Sequence, residues 1–240
     1  MSSSGGPVDR AILEDLAAAN RILVDQGVFD AAGHVTLRHP THAERFLMSR
    51  ALAPQLITAD DIMEFTLDAE AVDPRGRNGF IERFLHAEIF RARPDVMAVV
   101  HSHSSSVIAF GLTETRMRAM YHNAAFLAAG VPVFDIREKF GTTDIVISSA
   151  AKGVALAATL ADKSVALLRA HGMVVVAPSL PVAVFRAIFT VTSATIQHQA
   201  IALGGPIAAL ETEEGRIADI VNVQTVGRSW DLWKQRVSRT

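Results

Sequence analysis

Residues 80–103, FIERFLHAEIFRARPDVMAVVHSH, read as a helix, a turn and a mostly apolar strand. Residues 80–95 repeat apolar side chains at helical spacing and end around a proline, which disfavours helix before it. Residues 96–103 stay apolar until the strand ends in His101 and His103. Because side chains two positions apart on a strand project from the same face, both imidazoles can reach one point. The stretch therefore predicts a buried strand that delivers two potential metal ligands.

Two interpretations of this histidine pair remain open on spacing alone. The rings bind a divalent metal, or they are hydrogen-bonded histidines at a strand end. A catalytic metal needs a further ligand and an open position, and His171, which precedes a glycine at another predicted strand end, is a candidate. Glu82 and His86 form a competing pair, since positions i and i+4 on a helix also suit a metal.

Helical and strand-like segments alternate through the rest of the chain. Helices are predicted at 8–26, 104–110, 122–130, 149–161 and 181–204, and short strands at 34–40, 45–50, 131–135 and, as a pair, within 164–178. The helix at 181–204 is apolar nearly all round, so it must be covered by a thick helical layer or by another subunit. No repeat or linker divides the chain, which predicts one α/β domain at 8–240 after a flexible tail at 1–7.

Composition favours a globular protein that acts on a small molecule. The 240 residues are 50% apolar and 20% charged, with 23 Lys and Arg against 25 Asp and Glu. The chain contains no basic block, so no nucleic-acid surface is expected. The absence of cysteine excludes disulfides, thiolate metal sites and a cysteine nucleophile, so a metal must be held by His, Asp or Glu.

No targeting or membrane signal is evident in the pattern. The opening MSSSGGP lacks the basic start and apolar core of a signal peptide, and the absence of cysteine fits a reducing cytoplasm. The most apolar region, 172–205, contains prolines, Arg186 and His198, and so falls short of an uninterrupted membrane span. We expect a cytoplasmic protein with no membrane partner.

Three features in order resemble a known family: a carboxylate on the 80–95 helix, the HSH that ends the strand, and a distant RAHG at 169–172. From about residue 10 to about residue 205, the chain resembles the class II aldolase/adducin family. The resemblance implies a three-layer α/β/α sandwich with a central, mainly antiparallel sheet. It also implies a homotetramer with the site at a subunit interface, which would cover the apolar helix.

The resemblance implies roles for individual residues as well. His101, His103 and His171 would hold one divalent metal ion per subunit, and Glu82 would be the acid/base carboxylate. His86 would then be a packing residue. Three histidine ligands suit Zn²⁺, and also Mn²⁺ or Fe²⁺ if carboxylate or water completes the shell.

A tyrosine near the middle of the chain is a further candidate. Tyr121, the only tyrosine, lies near the position of a catalytic tyrosine in the aldolases that the chain resembles, and His122 follows it. Either side chain could donate a proton. The alternative is that Tyr121 anchors the start of a helix.

The chain departs from the sugar-phosphate aldolases of that family at all three phosphate-binding segments. Those enzymes use a G-N-[VI]-S segment, a T-P-[ST]-G loop and two serines before the glutamate. Here the corresponding segments read GHVT at 33–36, SRAL at 49–52 and FI at 80–81. Loss of a loop glycine removes a close backbone approach, and Phe-Ile in place of two hydroxyls removes hydrogen-bond donors. The altered pocket is therefore poorly suited to a phosphate.

The replacements suit a planar substrate with carboxylates. Arg50 can grip a carboxylate with two hydrogen bonds, Phe80 can pack on a ring, and His34 would help Arg50 to orient the carboxylate that the substrate retains. This pattern resembles the branch of the family that decarboxylates 3-hydroxy-2-methylpyridine-4,5-dicarboxylate or dihydroxyphthalates, and that resemblance favours Mn²⁺. The expected function is thus a metal-dependent decarboxylase of a hydroxylated aromatic dicarboxylate.

Two alternatives remain. One is a class II aldolase that cleaves a non-phosphorylated hydroxy-acid or aldehyde adduct, which product analysis distinguishes from a decarboxylase. The other is a non-catalytic assembly module of the adducin type. Retention of the three histidines and Glu82 argues against the second alternative.

Overall fold

Seven strands form one sheet in the computed structural model, which describes residues 4–238. The strands are β1 (His34–Arg38), β2 (Arg45–Ser49), β3 (Ile62–Thr66), β4 (Ala98–Ser102), β5 (Val133–Phe134), β6 (Val165–Leu168) and β7 (Gly172–Ala177). Across the sheet their order is β3-β2-β1-β4-β7-β6-β5. Every neighbouring pair is antiparallel except β5 and β6, which are parallel. The sheet is therefore mainly antiparallel.

The helices precede, separate and follow these strands. They are α1 (Arg10–Asp25), α2 (Arg83–Ala92), α3 (Ser105–Gly111), α4 (Arg137–Phe140), α5 (Ala150–Leu160), α6 (Leu180–Leu203) and α7 (Thr212–Val237). Three 3₁₀ segments lie at Pro54–Leu56, Ala59–Asp61 and His122–Ala129. The sequence predicted a regular helix at 122–130, where the chain instead forms a kinked 3₁₀ helix. It predicted neither β3 nor α7.

Both faces of the sheet are buried under helices. Because successive strand residues point to opposite faces, Val100 joins a core with α1 and α6, whereas its neighbour Val99 joins a second core with α2 and α5. Val175 and Val176 alternate in the same way on β7. The predicted α/β fold, a three-layer sandwich around a mainly antiparallel sheet, is confirmed.

The predicted tail contacts the sheet where it is described. Ser4 Oγ donates to Glu64 Oε2 at 2.7 Å, and the Gly5 amide donates to Glu64 Oε1 at 2.6 Å. Residues 1–3 lie outside the described residues. The flexibility of the segment 1–7 and the extent of the domain to residue 240 remain predictions.

The long apolar helix α6 is continuous. Pro181 stands in its first turn, where a missing backbone N–H costs nothing, so it starts the helix instead of interrupting it. By length and composition α6 could cross a membrane, but 67% of its most apolar 18-residue stretch is buried inside the fold. That burial, against β7 and β4 among others, is typical of a core helix.

A close backbone approach holds β7 against the end of β4. A Cβ atom built on Gly172 would lie 2.0 Å from the backbone oxygen of Ser102, far inside van der Waals contact. Only glycine therefore allows the strand that follows His171 to pack beside the strand that ends in the histidine pair. The preceding residue of that turn, Ala170, has φ 56°, a left-handed conformation that is uncommon for a side chain other than glycine.

We predict that Gly172→Ala destabilises the fold by about 1–3 kcal/mol or more, because the new methyl group collides with backbone that must move. The measurement is urea unfolding. Gly227→Ala is the control: this exposed helical position has open space around it, and alanine there should stabilise by about 0.5–1 kcal/mol. Equal stability of the two variants would contradict the close approach.

Candidate active site

Four side chains that sequence reasoning singled out meet at one end of the sheet. His101 lies on β4, His103 follows it, His171 lies in the turn before β7, and Glu82 lies immediately before α2. One ligand atom from each residue falls within 4.8 Å of the others. The His101 Nε2 atom lies 3.1 Å from His103 Nε2 and 3.2 Å from Glu82 Oε2, and His171 Nε2 lies 3.4 Å from the same carboxylate oxygen.

These separations fit a single divalent metal. Ligands about 2.0–2.1 Å from Zn²⁺ in a tetrahedral shell lie about 3.4 Å from one another. Three imidazole nitrogens and a carboxylate oxygen also suit Mn²⁺ or Fe²⁺. The cluster, which we call the His/Glu cluster, is thus a potential divalent-metal site, and its residues alone do not select the metal.

Hydrogen bonds outside the cluster orient two of the rings. His101 Nδ1 donates to the Met173 carbonyl at 3.0 Å, which leaves its Nε2 lone pair for a metal. His103 Nδ1 lies 3.4 Å from Asp30 Oδ2. A carboxylate in this position fixes the tautomer of a metal-ligating histidine and raises its basicity.

The two oxygens of the Glu82 carboxylate have different partners. Its Oε1 accepts a hydrogen bond from the Ile147 amide at 2.9 Å, so Oε2 is directed at His101 and His171. Burial raises the pKa of Glu82, but the neighbouring imidazoles lower it by more, so its pKa lies well below the usual range. Glu82 is therefore ionised at neutral pH, as a metal ligand or a proton acceptor must be, and its lowered pKa makes it a weaker base than an ordinary carboxylate.

The histidine at the mouth of the cluster is neutral. Burial lowers the pKa of His103, and the neighbouring His101 and His171 lower it further, against a smaller opposing effect of Asp30. A neutral imidazole is the form that binds a metal.

A cavity of about 440 Å³ opens directly onto the His/Glu cluster. Glu82, His103 and His34 form its polar part. The remaining walls are mostly apolar and consist of Ala31, Ala32, Ala51, Leu52, Ala53, Gly79, Phe80, Ile81 and Val146. None of the described residues that line it is lysine or arginine. The cavity thus presents a mostly apolar surface beside a potential metal site.

Two of the predicted substrate-binding residues lie together in this cavity. The rings of His34 and Phe80 are 4.7 Å apart, and the His34 ring is 5.1 Å from that of His101. Arg50 lies elsewhere: its Nε atom donates to Asp61 Oδ1 at 2.6 Å, and it does not line the cavity. Its proposed contact with a carboxylate remains a prediction.

The predicted proton donors do not line the cavity. Tyr121 packs edge-on against Phe189, with the rings 6.1 Å apart, on the α6 side of the sheet. Burial raises the pKa of Tyr121 to about 12. His122 is exposed, and its carbonyl accepts a hydrogen bond from Asn222 on α7. The catalytic roles of both residues remain predictions, and the packing of Tyr121 agrees with the alternative of an anchor.

His86 lies apart from the His/Glu cluster. Although Glu82 and His86 are four positions apart, Glu82 precedes α2, and the two side chains point to different neighbours. His86 is fully buried and contacts His34 and Thr36 through its two nitrogens. Burial lowers the pKa of both His34 and His86 well below the usual range.

Sequence reasoning missed Asp30, Thr36 and the Ile147 amide. Asp30 lies in the loop before β1, where its Oδ1 also accepts the amides of Ala32 and Gly33. An aspartate two residues before an amide that it accepts is a common turn residue, so no local signal separates it from other loop aspartates.

We predict that His103→Ala abolishes tight metal binding, and that Asp30→Asn weakens metal affinity by about 10–100-fold because the supporting carboxylate is lost. Metal titration of the purified variants measures both effects. Asp162→Asn, at an exposed position, is the control and should bind like the parent. Unchanged affinity in His103→Ala would remove this residue from the ligand set.

Comparison with known proteins agrees with this geometry. The family model described as "Class II Aldolase and Adducin N-terminal domain" matches residues 14–198. The decarboxylase tropJ of Talaromyces stipitatus is 37% identical over 239 residues, covering 90% of each chain. The 3,4-dihydroxyphthalate decarboxylase of Arthrobacter keyseri is 29% identical over 244 residues, covering 94% of this chain and 92% of that enzyme.

Solved structures show the same fold. The L-fuculose 1-phosphate aldolase of Glaciozyma antarctica superposes with a TM-score of 0.77 at 22% identity, covering 98% of this chain and 94% of that one. The predicted likeness to the decarboxylases of the family is confirmed. The chain therefore belongs to the class II aldolase and adducin family.

Proposed function

We propose that this protein is a metal-dependent decarboxylase of a hydroxylated aromatic dicarboxylate, such as a dihydroxyphthalate or a hydroxypyridine dicarboxylate. The observation that supports this most is the cavity itself. A cluster suited to a divalent metal opens onto walls formed largely by Phe80, Ile81, Leu52 and alanines, with no lysine or arginine among the described lining residues. Such walls favour a planar ring over a sugar phosphate. Similarity to decarboxylases over most of the chain supports the same class.

A divalent metal bound by His101, His103 and His171 would supply Lewis acidity, which stabilises negative charge that develops on oxygen when a carbon–carbon bond breaks. Of the possible ions we propose Mn²⁺. The protein's own contribution begins with Phe80, whose ring can stack on the substrate beside the cluster. The mostly apolar walls would offer the carboxylate that leaves as carbon dioxide few hydrogen-bond partners apart from the cluster.

Glu82 is the proposed proton carrier. Its ionised Oε2 would accept the proton of a ring hydroxyl next to the departing carboxylate. The proton held by Glu82 is then delivered to the ring carbon that carries the departing carboxylate, and the electron pair of the breaking carbon–carbon bond returns to the ring and its hydroxyl oxygen as carbon dioxide leaves. Because Oε1 is fixed by the Ile147 amide, the carboxylate can exchange this proton without swinging away.

We also propose a homo-oligomer, with a tetramer as the expected form. Large apolar side chains remain exposed on the outer helices, most of them on α7: Leu203, Ile217, Ile220, Val221 and Leu232. Exposed apolar side chains in this number suit burial between subunits. We expect light scattering to give the mass of several chains, and a monomer at micromolar concentration would contradict this proposal.

We predict that the metal-loaded protein evolves carbon dioxide from one member of a panel of ortho-hydroxy aromatic dicarboxylates, and that a chelator stops the reaction. Headspace analysis measures the gas. Glu82→Gln keeps the size of the side chain but removes the proton acceptor, so turnover should fall by about 100-fold or more. Release of a carbonyl compound without carbon dioxide would indicate an aldolase with a non-phosphorylated substrate. A protein that binds no metal would indicate a non-catalytic module.

A further inference from the structure

A line of three buried side chains connects the cavity to the inside of the sheet. His34 on β1 lines the cavity, and its Nδ1 lies 2.7 Å from His86 Nε2 on α2. His86 Nδ1 lies 2.8 Å from Thr36 Oγ1, two residues along β1 from His34. The three side chains are at most 2% exposed. The proposed reaction leaves Thr36 and His86 without a role.

The hydrogen bond between the two rings restricts where the N–H protons of His34 and His86 can lie. The facing nitrogens of the two rings are 2.7 Å apart, so only one proton lies between them, and a ring with a single N–H then has the opposite state at its outer nitrogen. If His86 donates from Nε2, its Nδ1 is bare, and His34 must be bare at Nδ1 and protonated at Nε2. If His34 donates from Nδ1 instead, His34 is bare at Nε2 and His86 carries its proton on Nδ1.

Thr36 selects between these two arrangements. Its hydroxyl has one proton and two acceptors within reach, His86 Nδ1 at 2.8 Å and the Val99 carbonyl at 3.4 Å. The hydroxyl can donate to either, but 3.4 Å is long for a hydroxyl donor, whose bonds are usually about 2.5–3.0 Å, so we infer that the imidazole nitrogen accepts its proton. This bond requires His86 to be bare at Nδ1 and therefore to donate from Nε2.

We propose that Thr36 and His86 are positioning residues that hold His34 with its proton on Nε2, so that His34 donates a hydrogen bond to the retained carboxylate of the substrate. The inference rests on the proposed function. Since no described lysine or arginine lines the cavity, this neutral N–H is a donor that the cavity offers to an anion apart from the cluster. Phe80 would hold the ring beside it, with the departing carboxylate at the cluster.

The arrangement predicts substrate specificity. A substituent that faces His34 must accept a hydrogen bond, as a carboxylate does. A group that only donates, such as an ammonium, would meet an N–H and leave two donors facing each other. We therefore expect dicarboxylates to bind more tightly than monocarboxylates that lack the group facing His34, by about tenfold.

The first test is the position of the proton. Nitrogen-15 spectra of the Zn²⁺-loaded protein distinguish protonated from bare ring nitrogens, and the signals that disappear in His34→Gln identify His34. We expect the proton of His34 on Nε2 and that of His86 on Nε2. A proton on Nδ1 of His34 would overturn the inference. This measurement needs no turnover, so it is decided even if the proposed function fails.

The second test uses two nearly isosteric replacements of His86. The amide of His86→Gln can donate to His34 Nδ1, whereas the side chain of His86→Met has a similar size and no N–H, so it leaves His34 free to place its proton on Nδ1. We expect His86→Gln to keep the KM for the dicarboxylate within a few fold. His86→Met should raise it by about tenfold, with a smaller change in kcat.

Controls separate this effect from a general loss of structure. Thr190→Val removes another buried hydroxyl, far along α6, and should leave KM unchanged. Equal KM values for the Gln and Met variants of His86 would overturn the inference even if decarboxylation proceeds. If His86→Met does not fold, the position of the proton in the unmodified protein decides the question alone.

Discussion

The pairing of β4 with β7 is the constraint on which the site depends. His101 ends one strand, His171 precedes the other, and the two strands come together only because Gly172 has no side chain beside the Ser102 carbonyl. The same strand supplies the Met173 carbonyl that orients His101. A backbone contact therefore places both rings, and a backbone carbonyl fixes the orientation of one of them.

Polar and apolar groups lie side by side in this site. The His/Glu cluster buries one ionised carboxylate, and its cost is offset by the Ile147 amide and the neighbouring imidazoles. Immediately beside it, the cavity walls are mostly apolar, and His34 is the polar side chain that lines them outside the cluster. This arrangement suits the proposed decarboxylation. That reaction converts a charged carboxylate into neutral carbon dioxide and leaves negative charge on the product, next to the metal that the cluster would bind.

The sequence predicted much of this and missed parts for definite reasons. The alternation of apolar residues before His101 and His103 indicated a strand with both rings on one face, and the turn glycine pointed to His171. The strand β3 escaped notice because it is a short edge strand after a polar run. The helix α7 was missed because its apolar residues lie on several faces, with only Trp230, Trp233 and a few others buried. No local pattern indicates that His86 and Thr36 meet, since that contact joins a helix to a strand.

The ligands of the His/Glu cluster come from three separate parts of the chain: the start of α2, the end of β4 and the turn before β7. An ion bound by all of them acts as a cross-link between a helix on one face and two central strands. The unfolded chain has no such preformed site, so binding would favour the folded state in proportion to the free metal concentration. For this protein, metal supply would then govern how much folded protein a cell keeps as well as how fast that protein works.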